Sequence, residues 1–358
     1  MRRKVVYILK TSGLKVKIDT SGRDVWQIGS GNETRPYDDI FLKFGIASVG
    51  PGEPGDARKP ETEEFYKTNG WADWGSKLLQ VKKGSIMVLR QGIKKIIAVG
   101  KIIEEYDYSN LLEDIHGWDL QHFVKVEWYV PVNPIIFSGT PLAQATLAMV
   151  KNAIVLDRIH KEEFYQVITE KTLNALKRPK PVTVDEISRA LVYHGIRIQD
   201  ADNVANTIAR IIKLAQWYKN KDSRVLEHEI RTFLVIPLLI SLGWSEQKLK
   251  IEYNQIDIAV FSKPFEGEYS LSPHMMIETK TFNNGLYYAG GQIINYAKAF
   301  PNCDLLVATN GYRYWIYEKI KGEYQAAGYF NLFKMHEWYC LDEKIYGVVP
   351  CLLKLSNF

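Results

Sequence analysis

Gln255-Ile256-Asp257-Ile258-Ala259-Val260-Phe261 is an apolar run with one carboxylate set into it, and His274-Met275-Met276-Ile277-Glu278-Thr279-Lys280 is a second run that ends in opposite charges one residue apart. Both have the length and composition of buried strands. On a strand, residues two apart point to the same face, so Glu278 and Lys280 share a site. If the two strands pair as a hairpin, Asp257 and Glu278 meet across it. Their four carboxylate oxygens, with the Thr279 carbonyl, suit a hard divalent cation such as Mg2+, for which Mn2+ is the alternative. Such a cation lowers the pKa of a bound water, and an ammonium at Lys280 orients that water and stabilises charge developing on a phosphodiester.

The flanks extend the pattern. Ser223 is placed to cap a helix that carries Glu227 and Arg231 four residues apart on one face, with Pro237 as a kink and Gly243-Trp244 as its end. Glu229, two residues round that helix from Glu227, faces elsewhere and reads as a solvated carboxylate. Downstream, Tyr287 to Phe300 reads as a helix with Gln292 and Tyr296 on one face, followed by the apolar strand Leu305 to Ala308 and a hairpin turn at Asn310-Gly311.

The set Asp257…Glu278-Thr279-Lys280 resembles the PD-(D/E)xK nuclease motif. With Glu227-x-x-x-Arg231, Pro237-Leu238-Leu239, Gly243-Trp244, Gln292-x-x-x-Tyr296 and Thr309-Asn310-Gly311, residues 223 to 318 resemble the N-terminal nuclease domain of type I restriction-enzyme motor subunits. That resemblance implies an α/β restriction-endonuclease-like domain. It also implies that Asp257, Glu278 and Lys280 bind metal and activate water, that Glu227 supports the site, and that Gln292 and Tyr296 contact DNA or order the centre. Asp257 follows Ile256 where the family motif has proline.

The chain has 358 residues, which at about 150 per domain predicts two domains with a small element between them. Its 46% hydrophobic and 24% charged residues fit a globular protein and exclude collagen-like or coiled-coil readings. No apolar run reaches the roughly 18 residues of a membrane span. The start, Met1-Arg2-Arg3-Lys4 and then Val5 to Lys10, is too short for a signal peptide and reads as the first strand of a cytoplasmic protein. Cys303, Cys340 and Cys351 lack CxxC spacing, so they read as buried thiols rather than as a disulfide or zinc framework. The net charge of +5 tolerates a polyanionic partner without announcing one. Most of the surplus lies between residues 151 and 220, with 12 basic against 8 acidic side chains.

Three segments follow: residues 1 to 140, 141 to 222 and 223 to 358. The first alternates short β-rich runs (Val5 to Leu9, Leu14 to Ile18, Val25 to Ile28, Ile86 to Leu89, Ile96 to Ile103, Phe123 to Val130) with turns, as in a small barrel or sandwich. Within it, Gly50 to Pro60 concentrates Gly and Pro and reads as a mobile surface loop. The second segment reads as a helical connector. Ala143, Leu147, Val150 and Ile154 recur at helical spacing, and so do Ile187, Leu191, Ile208, Ile211, Ile212 and Leu214. Thr183 and Glu186 form a capping-box pattern after Pro179 and Pro181. Lys177, Arg178 and Lys180 suit either phosphate contacts or a solvated face.

In the first segment, Val25-Trp26-Gln27-Ile28-Gly29, Val81 to Leu89 and Ala98-Val99-Gly100-Lys101-Ile102 resemble the EVE branch of PUA-like barrels over residues 1 to 135. Gly117-Trp118-Asp119 and Val126-Glu127-Trp128 resemble modified-base readers, including the related SRA domains, fused to restriction nucleases. Five of the nine tryptophans lie in residues 1 to 140. Trp26, Trp71, Trp74 and Trp118 are the candidates to hold an extruded base, although aromatics also fill the cores of small barrels.

Gly50-x-Gly52-x-x-Gly55 matches a dinucleotide fingerprint in form only, because prolines occupy it and no strand-to-helix transition carries it. There is no Walker A sequence, so the chain alone does not couple ATP to translocation. The expectation is an α+β multidomain protein that cleaves double-stranded DNA carrying a modified base, acts as a homodimer with Mg2+, and has no membrane association. Two other readings stay open. One is a nuclease subunit of a larger defence complex, and the other is a nucleic-acid-binding regulator with an inactive nuclease fold.

Overall fold

The computed structural model describes residues 10–32, 35–69, 74–169, 171–220, 225–267 and 272–358. The Val5 to Leu9 run, Trp71 and Ser223 lie outside these residues. The protein is mixed α/β with two open sheets and divides into two compact units, Met1–Leu176 and Lys177–Phe358.

The first unit runs β1 (Thr11–Val16), β2 (Val25–Gly29), the short pair β3 (Gly31–Asn32) and β4 (Arg35–Pro36), α1 (Asp38–Phe44) and β5 (Ile46–Val49). It continues through α2 (Pro60–Asn69), α3 (Trp74–Leu78), β6 (Ile86–Gln91), β7 (Lys95–Tyr108), β8 (His122–Pro131) and β9 (Ile135–Ile136). It ends with β10 (Leu147–Met149), α4 (Ala153–Lys161) and β11 (Phe164–Val167). The strand order is β1-β11-β8-β7-β6-β2-β10, with β5 added to β8 and β9 to β7. Among the described residues, no hydrogen-bonded pairing joins the outer strands β1 and β10.

Two sequence expectations need correction here. The helical spacing from Ala143 to Ile154 does not give a helix until Ala153. Gln27 instead ties the loop down, donating from Nε2 to the Ala143 carbonyl at 2.8 Å and accepting from the Ala143 amide at 3.0 Å. Leu147–Met149 then pairs with β2 as a strand. Tertiary hydrogen bonds outweigh a weak local period. For the same reason the segment 141 to 222 is not one connector. Strand β11 pairs with both β1 and β8, so residues up to Leu176 belong to the first unit.

The Gly50 to Pro60 loop is irregular, as its composition requires, but it is anchored. Tyr66 Oη donates to the Pro51 carbonyl (2.6 Å), and Tyr108 Oη donates to the Gly52 carbonyl (2.9 Å). Tyr106 Oη accepts the Ala57 amide (2.8 Å). The fully buried His122 links the set, with Nδ1 2.8 Å from Tyr106 Oη and Nε2 2.9 Å from the Pro51 carbonyl. A pattern of Gly, Pro and charge cannot show that three tyrosines and a histidine elsewhere in the chain hold it.

The second unit opens with two helices, α5 (Val184–Tyr193) and α6 (Ile198–Asn220). Thr183 caps α5 as expected: its Oγ1 accepts the Glu186 amide at 3.2 Å, and Glu186 Oε2 accepts the Thr183 amide at 2.8 Å. Replacing Thr183 with Ala is expected to cost about 1 kcal/mol; an unchanged urea midpoint would contradict it. There follow α7 (Glu227–Ile230), a π-helical stretch at Arg231–Val235, and α8 (Ile236–Ser241), helical backbone throughout, with Pro237 directly after the π-helical stretch.

The sheet comes next: β12 (Leu249–Tyr253), β13 (Ile256–Val260) and β14 (Met275–Thr279), then α9 (Tyr287–Tyr296) and β15 (Leu305–Thr309). After these come β16 (Arg313–Ile320), β17 (Glu323–Asn331), β18 (Trp338–Tyr339), β19 (Asp342–Tyr346) and α10 (Val348–Leu355). The strand order is β12-β13-β14-β15-β16-β17-β19-β18. Strands β14 and β15 run parallel, and the crossover between them supplies α9. One face of the sheet packs Ile258, Ile277 and Val307 against α6, α8 and α10, while the other packs Ala259, Met276 and Leu306 against Ile293 and Ala297.

Residues 319 to 358, which the sequence left without a role, close this core. Trp244 Nε1 donates to the Leu355 carbonyl at 2.7 Å, and the Asn357 amide donates to the Leu242 carbonyl at 2.8 Å. Cys303 and Cys351 are buried thiols, and Cys340 is half-buried.

Candidate active site

Strands β12, β13 and β14 bring the carboxylates together. Ile251↔Ile258 and Tyr253↔Ile256 bracket Glu252 opposite Asp257, and the Ile258↔Ile277 register continues to put Glu278 beside Asp257. Glu278 alternates with Ile277 and so lies on the Met276 face, the one α9 covers.

Lys280 Nζ donates to Glu278 Oε1 at 2.6 Å. Asp257 Oδ2 accepts two hydrogen bonds from Thr279, 2.6 Å from its amide and 2.7 Å from its hydroxyl. Thr279 therefore meets Asp257 through its amide and hydroxyl, contacts that the sequence reading, which used only its carbonyl, did not foresee. Asp257 Oδ1 faces Arg231 Nη2 at 3.6 Å.

Glu278 is only 3% exposed, and burial pushes its carboxyl above the ordinary value. The Lys280 hydrogen bond opposes that rise, while the charges of Asp257 and Glu227 add to it. For Lys280, burial alone would lower the pKa. The Glu278 hydrogen bond and the charges of Glu278, Glu227 and Asp257 outweigh it, so the ammonium is held above its usual value. Glu227 thus acts on the centre through charge. Glu229, read from sequence as solvated, holds the start of α7 instead, where its Oε2 accepts the Leu226 amide at 2.9 Å.

Gln292 Nε2 donates to Tyr296 Oη at 2.6 Å, so the pair is locked on α9. The Thr309-Asn310-Gly311 landmark is a packed turn. Thr309 Oγ1 donates to the Arg313 carbonyl (2.8 Å) and accepts the Gly311 amide (2.9 Å), and Asn310 Nδ2 donates to the Phe282 carbonyl (2.8 Å).

Among the described residues, no three His, Cys, Asp or Glu side chains gather into a metal-binding group. Asp257 and Glu278 remain side by side on neighbouring strands. Glu278 Oε2 is buried and has no hydrogen-bond partner among the described residues. An anionic oxygen held out of water without a donor is costly, and a hard cation beside it removes that cost. The residues fit Mg2+.

In the first unit, Trp26 is buried, while Trp74 and Trp118 are half-buried. Trp26 pairs with Met149 of β10, and α3, which begins at Trp74, packs against β8 and β10. Trp26 Nε1 is buried without an acceptor among the described residues. Trp128 is core, with its Nε1 donating to the Ile46 carbonyl at 3.1 Å. Gln121 Oε1 is buried without a partner among the described residues, and Glu252, one more exposed acid in the sequence, pairs with Arg231.

No protein-family model matches the chain, and no curated protein matches it.

Proposed function

We propose that the chain is a Mg2+-dependent DNA endonuclease of the PD-(D/E)xK type, directed to its target by an EVE/PUA-like barrel that reads a modified base. The observation that carries this reading is Glu278: buried, bonded to Lys280 through one oxygen and left with the other unpartnered, on the strand next to Asp257. A structural ion pair satisfies both oxygens, whereas a metal-binding carboxylate keeps one for its ligand. Bound Mg2+ supplies a water of lowered pKa and a counter-charge for the scissile phosphate.

Asp257 and Glu278, with the Thr279 backbone, hold the cation. Thr279 fixes the Asp257 carboxylate through Oδ2 and leaves Oδ1 as the oxygen that turns to a ligand. Lys280, kept as an ammonium, orients the attacking water and stabilises charge on the phosphate. Gln292 and Tyr296 order the DNA-facing side of α9. The unpartnered indole N–H of Trp26 supports a site in the first unit that accepts a ligand oxygen or nitrogen. Cutting both strands calls for two copies of the site, hence a homodimer.

The test is cleavage of methylated, hydroxymethylated, glucosylated and unmodified duplexes by the purified chain with Mg2+ and without ATP. Cutting of one modified class is expected, together with about tenfold weaker preference for it in Trp26→Phe, within the cost of leaving one polar partner unmade. No cutting of any duplex by the wild-type chain would reject the reading.

A further inference from the structure

Arg231 stands between two acids that belong to the same sheet edge. Its side chain is 9% exposed, and it donates from Nη1 to Glu252 Oε1 at 3.2 Å while Nη2 lies 3.6 Å from Asp257 Oδ1. The first contact is a hydrogen bond; the second is an ion pair too long to be one. Among the described residues Nε is buried without an acceptor, so they do not lock the guanidinium by its full set of bonds. It begins a π-helical stretch, Arg231–Val235, a feature frequent at functional sites. Glu252 is unusual as well. It adopts φ +55 within a strand, a left-handed conformation that costs a non-glycine residue of order 1 kcal/mol, and its side chain is 77% exposed except for the bond to Arg231.

Asp257 Oδ2 is occupied by Thr279, so Oδ1 is the oxygen available to a cation, and Oδ1 is the atom Arg231 faces. A divalent cation on that oxygen and the guanidinium beside it repel each other. We propose that Arg231 is a charge-exchanging positioning residue that neutralises Asp257 while the site lacks a divalent cation and shifts wholly onto Glu252 when one binds. The inference rests on the nuclease reading of the same site. Glu252 is then the acceptor that lets Arg231 leave, and its strained backbone is what presents it there.

The test is a double-mutant cycle read by Mn2+ titration, using calorimetry and the Mn2+ paramagnetic resonance signal of the full chain. Glu252→Gln, at an exposed side chain, is expected to weaken Mn2+ binding about fivefold, within the coupling range of contacting residues. In an Arg231→Gln background the same change is expected to have no effect. Loss of binding of equal size in both backgrounds would mean that Glu252 attracts the cation directly, and the proposal would fall. So would an unchanged affinity in Glu252→Gln. If Arg231→Gln does not fold, the guanidinium 15N resonance of Arg231 in the wild-type chain replaces it: a shift on saturation with Mg2+ is expected, and an unmoved resonance overturns the exchange. Absence of any Mn2+ binding by the wild-type chain instead rejects the metal site itself, and the exchange with it.

Discussion

Lys280→Ala is expected to lower Mg2+-dependent cleavage by roughly 10²- to 10⁴-fold, the range for removing a group aimed at charge that develops in the transition state. DNA binding is expected to persist, because Lys280 is one cation among many that meet phosphates. Asp257→Ala removes a metal carboxylate and is expected to abolish cutting in the same assay. Unchanged cutting by either variant would refute the site.

Lys280→Ala also has a signature in stability. Glu278 then keeps its buried position beside Asp257 and Glu227 but loses the 2.6 Å donor that opposed the rise of its pKa. The folded chain therefore holds a proton on Glu278 at pH values where the unfolded chain has released it. Since the native state binds more protons, the stability of the variant falls as pH rises from the unfolded carboxyl value through the raised folded one. The deficit in thermal midpoint against wild type is expected to be larger at pH 8 than at pH 5. An equal deficit at both would show that Lys280 does not offset the Glu278 charge.

Gly311→Val is expected to destabilise the second unit by about 3 kcal/mol, the combined size of an unfavourable backbone conformation and an overpacked core. Gly311 has φ +91, which side chains with a Cβ rarely adopt. A Cβ there would also lie 2.5 Å from Leu234 Cδ1 and 2.9 Å from Ile230 Cγ2. Ile230 precedes Arg231 and Leu234 lies within the π-helical stretch, so the substitution pushes on the segment that aims Arg231 at Asp257. A urea midpoint equal to wild type would contradict this packing argument.

The central strands were legible because each is a short apolar run with one or two charges, and the structure keeps them at Ile256–Val260 and Met275–Thr279. The Thr183 cap was legible for a similar reason, since its partner lies three residues away. The Ala143 to Ile154 periodicity misled because apolar residues of a loop, a three-residue strand and the start of α4 fall at helical spacing over so short a span. The anchored Gly50 to Pro60 loop and the closing contacts of Trp244 and Asn357 join residues by contacts that no local rule specifies.

What the amino-acid order determined by itself was the chemistry available on two strands: an acid within one apolar run, and an acid and an amine two residues apart on the next. Period-two geometry is local, so it follows from sequence alone. Only the tertiary structure decided which partner each carboxylate oxygen meets. Thr279 takes Asp257 Oδ2, Lys280 takes Glu278 Oε1, and Arg231 arrives from a distant helix to face Asp257 Oδ1. Those assignments depend on desolvation and on donors brought in by packing, quantities that exist only once the chain has folded.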